Sequence, residues 1–266
     1  MQSLSITMAC YAAAIRGQMQ YRTNFVMMVV LGLMYQGSGI AFLWVVLGRF
    51  GTIAGWTFGE IALLYAMRLL AHAVWVVPFH QLEFLDGAVQ EGRFDRFLVR
   101  PLNPFLQVIT ARFQLNVIGD VAAAVVLLIV AVNLVDVPTD PLHLAYFVLA
   151  IIGGALAEGA AVVVVSSLSF RFVRVWSAYH LADSVFLLFG SYPTRIFGPV
   201  LNWILTWIVP VALVAYIPSS VLLGKTDELR LPVAVAALAP LIGAAFFFAA
   251  YRFWRWQIRS YQSVGN

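Results

Sequence analysis

The sequence predicts an all-α polytopic membrane protein with six transmembrane helices in a single transmembrane domain over residues 1–266. Two observations lead to this fold class. The chain is 62% apolar and only 11% charged, whereas soluble domains contain about 25% charged residues. Apolar runs of about 20 residues, the length that a helix needs to cross a bilayer, recur along the chain. A membrane barrel would instead show short strands of alternating polarity.

The predicted spans follow from these apolar runs. In order, they cover about residues 24–47, 57–80, 104–134, 142–168, 175–191 and 232–251. The fourth span carries a stripe of glycine and alanine between Gly153 and Ala161. Small residues allow two helix backbones to approach closely in a membrane, so this stripe predicts a helix–helix contact rather than a substrate surface.

Residues 5–22 precede the first span and are too polar to cross a bilayer. Their apolar side chains can share one face, so we expect a short N-terminal interfacial helix on the cytoplasmic leaflet. A cytoplasmic extension of the first span is the alternative. No cleavable signal peptide is evident, because the sequence lacks a compact apolar core followed by a small-residue cleavage site.

Residues 192–223 form an apolar stretch that four prolines interrupt. Broken backbone is tolerated at membrane depth only where protein or a water-filled cavity covers it. We therefore predict an external re-entrant element that enters from outside, returns, and gates or lines a path. The predicted gate residues are Tyr192, Pro193, Phe197, Pro210, Tyr216 and Pro218.

The basic residues give the orientation of these spans. With both termini in the cytoplasm, ten of the 16 lysine and arginine residues lie inside and four lie outside, as the positive-inside rule requires. The basic tail from Arg252 to Arg259 would become external if residues 192–223 crossed the bilayer completely. The basic tail therefore supports the prediction that residues 192–223 enter the membrane and return on the same side.

The charged segment, residues 81–104, separates the second and third spans. It holds four acidic and three basic residues within 18 positions, and unpaired charges in hydrocarbon are costly. We expect it to lie in the cytoplasm and to dock a soluble partner, with an ordinary solvated loop as the alternative.

The chemistry of docking would be an apolar centre with a charged rim. Leu85, Phe94 and Leu98 would help to fill an apolar groove on the partner. The predicted docking residues are Phe84, Glu91, Gly92, Arg93, Asp95, Phe97, Arg100 and Pro101.

Four ionisable residues fall near the middle of the predicted bilayer: Arg68, Asp120, Glu158 and Asp183. Such residues mark either a polar pathway for substrate or protons, or buried ion pairs that fix helix register. We expect Arg68 to pair with Asp120 or with Glu158.

Several other classes of function are excluded. The single cysteine, Cys10, cannot form an intramolecular disulfide, and the four histidines show no metal-binding spacing. Gly224-Lys225-Thr226 ends like a phosphate-binding loop, but Ser219 stands where that motif needs glycine and no strand precedes it. We therefore expect no cofactor in this chain and an energy source in another protein. The basic residues lie at the ends of apolar runs, so they indicate membrane orientation and no nucleic acid partner.

Two motifs carry a resemblance to a known family. Residues 91–102 read EGRFDRFLVRPL, which resembles the EGRLDxxLLRPL loop of one bacterial family of ABC-2 transporter permeases. The second motif runs from Tyr192-Pro193 through Ile196-Phe197 to Trp203, Ile208-Val209-Pro210-Val211-Ala212 and Tyr216-Ile217-Pro218. It is similar to the YPxxIF…VIPVAFxxYxP stretch of that family.

The resemblance implies an ABC-2, type V exporter-like fold in the bacterial plasma (inner) membrane. It also implies a permease subunit of an ABC exporter, assembled as two permeases, identical or paralogous, with two P-loop ATPase subunits that bind ATP and Mg. The charged segment would supply the coupling helix that fits a groove on the ATPase.

Two alternatives stay open. An ion-coupled secondary transporter would use Asp120, Glu158 or Asp183, although the sequence shows no inverted repeat with paired broken helices. A membrane anchor or sensor that transports nothing is the other.

Overall fold

The computed structural model describes residues 22–111, 117–172, 174–229 and 231–263. The predicted interfacial helix over 5–22 lies outside these residues except for Arg22, which begins the first described helix. Within the described ranges the regular structure is helical, and the only β-type pairing is an isolated bridge between Ile53 and Trp56. The predicted all-α class is confirmed.

The α-helices follow one another closely along the chain. They are α1 (Arg22–Phe50), α2 (Phe58–Phe79), α3 (Leu85–Gln90), α4 (Asp95–Leu98), α5 (Pro104–Ile109), α6 (Val117–Leu134), α7 (Pro141–Ser167), α8 (Trp176–Phe189), α9 (Gly198–Trp207), α10 (Tyr216–Leu222), α11 (Val233–Ala237) and α12 (Ala239–Gln257). Short 3-10 turns join several of them, including His80–Phe84 and Thr194–Phe197.

Four helical stretches of the described residues are long and apolar enough to cross a membrane: Val29–Arg49, Phe58–Gln90, Val117–Leu134 and Pro141–Phe170. Each overlaps one of the first four predicted spans. Phe58–Gln90 continues into the predicted loop 81–104, and Val117–Leu134 covers only the later part of the predicted third span, 104–134. For the predicted fifth span, α8 has 14 residues and is roughly 21 Å long, shorter than the roughly 30 Å hydrocarbon core. For the sixth, α12 has 19 residues and carries Arg252 and Arg255.

The long helices form a bundle around α2 and α7. Helix α2 packs against α6 and α7, while α7 also packs against α8 and α12, and α1 packs on α6. Most of α2 is buried, whereas α1 leaves large apolar side chains such as Met34 and Trp44 exposed. An exposed apolar face of this kind suits contact with lipid.

Helices α7 and α12 meet backbone to backbone at Gly153 and Gly243. A Cβ atom on Gly243 would overlap the carbonyl oxygen of Gly153, and one on Gly153 would overlap Pro240. Only glycine fits both positions, so the close contact predicted from the small-residue stripe of the fourth span is confirmed.

The chain between α8 and α11 turns back within the bundle. Helix α9 and the following turn bring residues 211–215 into the core, where each is at most 2% exposed, and α10 leads away again. The tip of this segment, residues 211–215, reaches the middle of α7. A Cβ atom on Gly154 would lie 2.6 Å from the carbonyl oxygen of Val214.

The bundle has two ends, here called lower and upper. At the lower end the charged segment lies beside Phe170 and Tyr261. At the upper end Lys225 contacts Gly55 and Glu60. The segments predicted to be cytoplasmic therefore share the lower end. The predicted external loops that precede α2 and follow α10 share the upper end.

Candidate functional site

The charged segment folds into a compact structure at the lower end. The 3-10 turn His80–Phe84 continues into α3, and the chain then reverses at Gly92, whose φ of 68° is a left-handed conformation that glycine adopts without steric cost. The backbone N–H of Phe94 donates to the carbonyl of Ala88, 3.0 Å away, and closes this reversal. The charged segment is thus a folded element.

An aromatic cluster fixes the charged segment to the rest of the chain. Phe94 is completely buried, and its ring centroid lies 5.9 Å from that of Phe97, 5.0 Å from Phe170 and 5.1 Å from Tyr261. Leu85 and Phe97 are also buried. The expectation that Leu85, Phe94 and Phe97 fill a groove on a partner is therefore wrong, because this chain already covers them.

The exposed ridge, residues 98–102, is the part of the charged segment that remains accessible. Val99 is 82% exposed, and Leu98 and Leu102 are each exposed by more than two fifths. Arg100 and Pro101 are exposed as well. Apolar side chains exposed in this way on a folded base offer contact area that the described part of the chain leaves uncovered.

Exposed charged groups precede the exposed ridge in the charged segment. Arg93 Nε lies 2.5 Å from a carboxylate oxygen of Glu91, and both side chains are about half exposed or more. Phe84 is 49% exposed. Of the predicted docking residues, Phe84, Glu91, Arg93, Arg100 and Pro101 therefore lie at the surface, whereas Phe97 does not.

Asp95 is held by the C-terminal tail. The hydroxyl of Ser263 donates to one carboxylate oxygen at 2.6 Å, and the hydroxyl of Tyr261 donates to the other at 2.7 Å. These two hydrogen bonds, that of Ser263 first, lower the pKa of Asp95 below its ordinary value. Burial, together with Asp95, raises the pKa of Tyr261 to about 12. The tail thus ties the charged segment to the end of α12.

The two hydrogen bonds that Asp95 accepts from Ser263 and Tyr261, here called the clasp, predict that the stability of the folded protein depends on pH. A carboxyl group whose pKa is lower in the folded state stabilises the fold above its unfolded pKa, and it loses that contribution as the pH falls through the folded value. We expect Asp95→Asn to lower the midpoint of thermal unfolding at neutral pH, and the difference from wild type to shrink below about pH 4.

The measurement is thermal unfolding of the purified protein at a series of pH values. Tyr261→Phe is the matched variant, since it keeps the carboxylate and removes one of its donors, and it should reproduce part of the effect. A difference that stays constant down to pH 3 would contradict the assignment.

A buried polar cluster, formed by His72, Glu158 and Asp183, lies in the middle of the bundle. His72 Nδ1 lies 2.7 Å from Glu158 Oε1, and Glu158 is only 1% exposed. The indole N–H of Trp75 donates to the same His72 nitrogen at 3.1 Å. Asp183 on α8 completes the group, because one polar atom from each of the three residues lies within 4.8 Å of the others.

The intramembrane pairing differs from our expectation. Glu158 pairs with His72, and Asp120 accepts a hydrogen bond from Gln36 at 2.6 Å. Arg68 is 1% exposed, and among the described residues it forms no ion pair within 4 Å, while its Nε and Nη1 atoms have no hydrogen-bond partner. The predicted pair of Arg68 with Asp120 or Glu158 is therefore wrong.

The physical reason lies in helix spacing. His72 follows Arg68 by one turn of α2 and so shares its face, and this later position is the one level with Glu158 of α7. Gln36 comes from α1, and no charge pattern in the sequence predicts that α1 packs against α6. The spacing of residues 68, 72 and 75 on one helix face was a signal that could have identified His72 and Trp75.

The predicted gate residues are distributed along the 192–223 segment. Tyr192, Pro193 and Phe197 lie where α8 gives way to α9, Pro210 lies in the turn, and Tyr216 and Pro218 begin α10. The hydroxyl of Tyr216 is buried, and among the residues that the structure describes it has no hydrogen-bond partner. Its ring centroid lies 5.6 Å from that of Trp56.

A group of polar contacts holds the upper end of residues 192–223. The sequence did not predict these contacts. Lys225 Nζ lies 2.8 Å from a carboxylate oxygen of Glu60 and 3.0 Å from the carbonyl of Gly55. The indole N–H of Trp56 donates to Glu228 at 3.0 Å. The segment therefore leaves the bundle beside the loop through which α1 connects to α2.

Comparison with known proteins gives one match. The model of a family described as ABC-2 family transporter protein matches residues 33–265, a range that includes the charged segment, the buried polar cluster and residues 192–223. Comparisons with curated proteins and with solved structures gave no match.

Proposed function

The chain belongs to the ABC-2 family of transporter proteins, and from this premise we propose that it is the permease subunit of an ABC exporter driven by a separate P-loop ATPase. In this proposal the ATPase docks on the charged segment from the cytoplasm. ATP and Mg bind to the ATPase, and the permease contributes the membrane path. Two permeases, identical or paralogous, would assemble with two ATPases.

The exposed ridge is the observation that carries the proposal. It presents Val99 and Leu102 on a base that the buried ring of Phe94 makes rigid. Interfaces between soluble proteins commonly combine an apolar centre with a charged rim, and Glu91, Arg93 and Arg100 supply such a rim. The docking contact thus comprises the ridge and its charged neighbours, without Phe97.

The membrane arrangement is part of the proposal. We place six spans across the bacterial inner membrane, with α8 and α12 as the fifth and sixth and both termini in the cytoplasm. Residues 192–223 would then enter the membrane from outside and return as a gate. Two observations support this return. The tip of the segment lies beside Gly154, and the segment leaves the bundle at the upper end, beside Glu60.

An ion-coupled secondary transporter is the second candidate. The buried polar cluster favours it, because ionisable groups inside a membrane bundle commonly mark ion or proton pathways. The two candidates differ in whether an ATPase partner is required.

The test is affinity purification of the tagged chain from its native membranes, with identification of every co-purifying chain. We expect a P-loop ATPase with the wild type, and its loss with Leu102→Glu or Val99→Glu. A charge buried at the centre of an interface costs about 2 kcal/mol or more, which corresponds to roughly 30-fold weaker binding.

Leu142→Glu is the matched control. Leu142 is 76% exposed and Leu102 is 42% exposed, but Leu142 lies in the first turn of α7, next to the exposed His143–Asp140 pair and outside the charged segment. This variant should retain the ATPase. A wild type extracted under mild conditions without any ATPase would reject the proposal in favour of the second candidate.

A further inference from the structure

We propose that the buried polar cluster of His72, Glu158 and Asp183 is a proton-binding site that holds one exchangeable proton inside the bundle. The proposal goes beyond the permease assignment and does not depend on ATPase docking. It rests on the hydrogen bonds around one nitrogen atom, on the charges in the cluster and on the groups that lead from it.

The nitrogen is His72 Nδ1, which has two close neighbours. Trp75 Nε1 can only donate a hydrogen bond, so its contact with His72 at 3.1 Å requires a lone pair on Nδ1. Glu158 Oε1 lies 2.7 Å from the same nitrogen. An ionised carboxylate can only accept, so two lone pairs would face each other at that distance unless a proton lies between them.

One proton can occupy this contact in two ways. On Glu158 Oε1, it is donated to Nδ1, which also receives the indole N–H of Trp75. On Nδ1, it is donated to an ionised Glu158, and Trp75 then loses its acceptor. Transfer between the two breaks one O–H bond and forms one N–H bond, with no other reactant. The geometry in which Trp75 donates matches the first arrangement.

The charges of the cluster also call for one proton. Arg68 lies outside the cluster but interacts electrostatically with both Glu158 and Asp183, and it contributes one positive charge. Ionised Glu158 and Asp183 contribute two negative charges, so the sum with a neutral His72 is minus one. Buried net charge is costly in a membrane protein, and one proton cancels it. A divalent metal ion would change the sum to plus one and leave Arg68 without a counter-charge.

Titratable groups continue from the cluster towards the lower end. On α8, His180 lies one turn before Asp183, and its Nε2 is 3.4 Å from a carboxylate oxygen of Glu83. The other oxygen of Glu83 is 3.5 Å from His80. The side chain of His180 is 40% exposed, so this series of titratable groups extends from the buried polar cluster to the surface of the bundle.

The other elements that pack here complete the electrostatic surroundings. Tyr179 of α8 lies near Asp183, Glu83 and Glu158. On α6, Asp120 is bound instead to Gln36 of α1. Loss of the proton would leave an ionised Glu158 beside a neutral His72, so one negative charge of the buried carboxylates would lack a counter-charge.

Tryptophan fluorescence tests the proposal, because Trp75 donates to His72 Nδ1 and its emission responds to a change in the charge and hydrogen bonding of that contact. The full chain would be reconstituted in lipid nanodiscs and titrated between about pH 4 and 9, with the Trp75→Phe signal subtracted to isolate Trp75. We expect one pH-dependent transition in the wild type and none in Glu158→Gln. His72→Gln has the same expected outcome, so misfolding of one variant leaves the test intact.

Variants of the neighbouring charged residues distinguish a proton-binding site from a purely structural contact. Removing a negative neighbour weakens proton binding and removing a positive one strengthens it, by about one pH unit or more. The transition should therefore move to lower pH in Asp183→Asn and to higher pH in Arg68→Gln. His143→Gln, at the exposed His143–Asp140 pair, is the control and should leave it unchanged.

Two results would overturn the proposal. One is a wild-type Trp75 signal that is flat across the titration. The other is zinc that co-purifies in stoichiometric amount and is lost in His72→Gln, which would make the cluster a metal site. The readout needs neither nucleotide nor partner, so its outcome is independent of the ATPase experiment.

Discussion

Replacing Gly243 by valine is expected to prevent accumulation of the folded protein. The backbones of α7 and α12 touch at Gly153 and Gly243, and the first side-chain atom would overlap a carbonyl oxygen. A backbone atom cannot move aside as a flexible side chain can, so the helices must separate. The cost should exceed the 1–3 kcal/mol or so that is typical of overpacking. The measurement is the monodisperse fraction after extraction, followed by thermal unfolding.

Gly37→Val is the matched control for this experiment. Gly37 also lies inside a long helix, α1, but a Cβ atom there would have no neighbour within 4 Å. Both variants carry the same helix-propensity cost of a β-branched residue, so only Gly243→Val tests the contact. Wild-type yield and stability of Gly243→Val would show that α7 and α12 do not meet in this way.

Replacing Phe94 by alanine is expected to destabilise the protein by about 3–5 kcal/mol, as for other buried aromatic side chains. Phe94 is completely buried and stands between Phe97, Phe170 and Tyr261. Its loss would open a cavity beneath the charged segment and free the exposed ridge from its base. We therefore expect lower thermal stability and weaker capture of the ATPase together.

Phe84→Ala is the matched control for the effect on stability. Phe84 belongs to the same segment but is half exposed, so its removal leaves no cavity and should change stability by less than about 0.5 kcal/mol. The comparison uses thermal unfolding of both variants under identical conditions. Equal destabilisation by the two substitutions would mean that the charged segment is not anchored through Phe94.

Much of this fold is visible in the sequence because hydropathy reports length and composition directly. The apolar runs located α1, α2 and α7 within a few residues, and the small residues between Gly153 and Ala161 located a close helix contact. The charge of residues 81–104 marked them as a separate element. Each of these signals depends on residues that are neighbours in the chain.

The pairing of the helices is less visible. Helices that are apolar on every side carry no amphipathic stripe that reveals which face meets which neighbour. The sequence therefore could not show that His72, rather than Arg68, meets Glu158, or that Gln36 meets Asp120. It also could not show that Phe94 points inward, because Phe170 and Tyr261 are far from it in sequence.

The clasp between Asp95 and the tail has a mechanical consequence. Ser263 and Tyr261 bind the charged segment to the end of α12, and Gly243 of α12 is in backbone contact with Gly153 of α7. A push on the exposed ridge is therefore not absorbed by a flexible tether. We expect the displacement to pass to α12 and, through the glycine contact, to α7, the helix that carries Glu158. Movement at the lower end of the bundle would then alter the polar cluster at its centre.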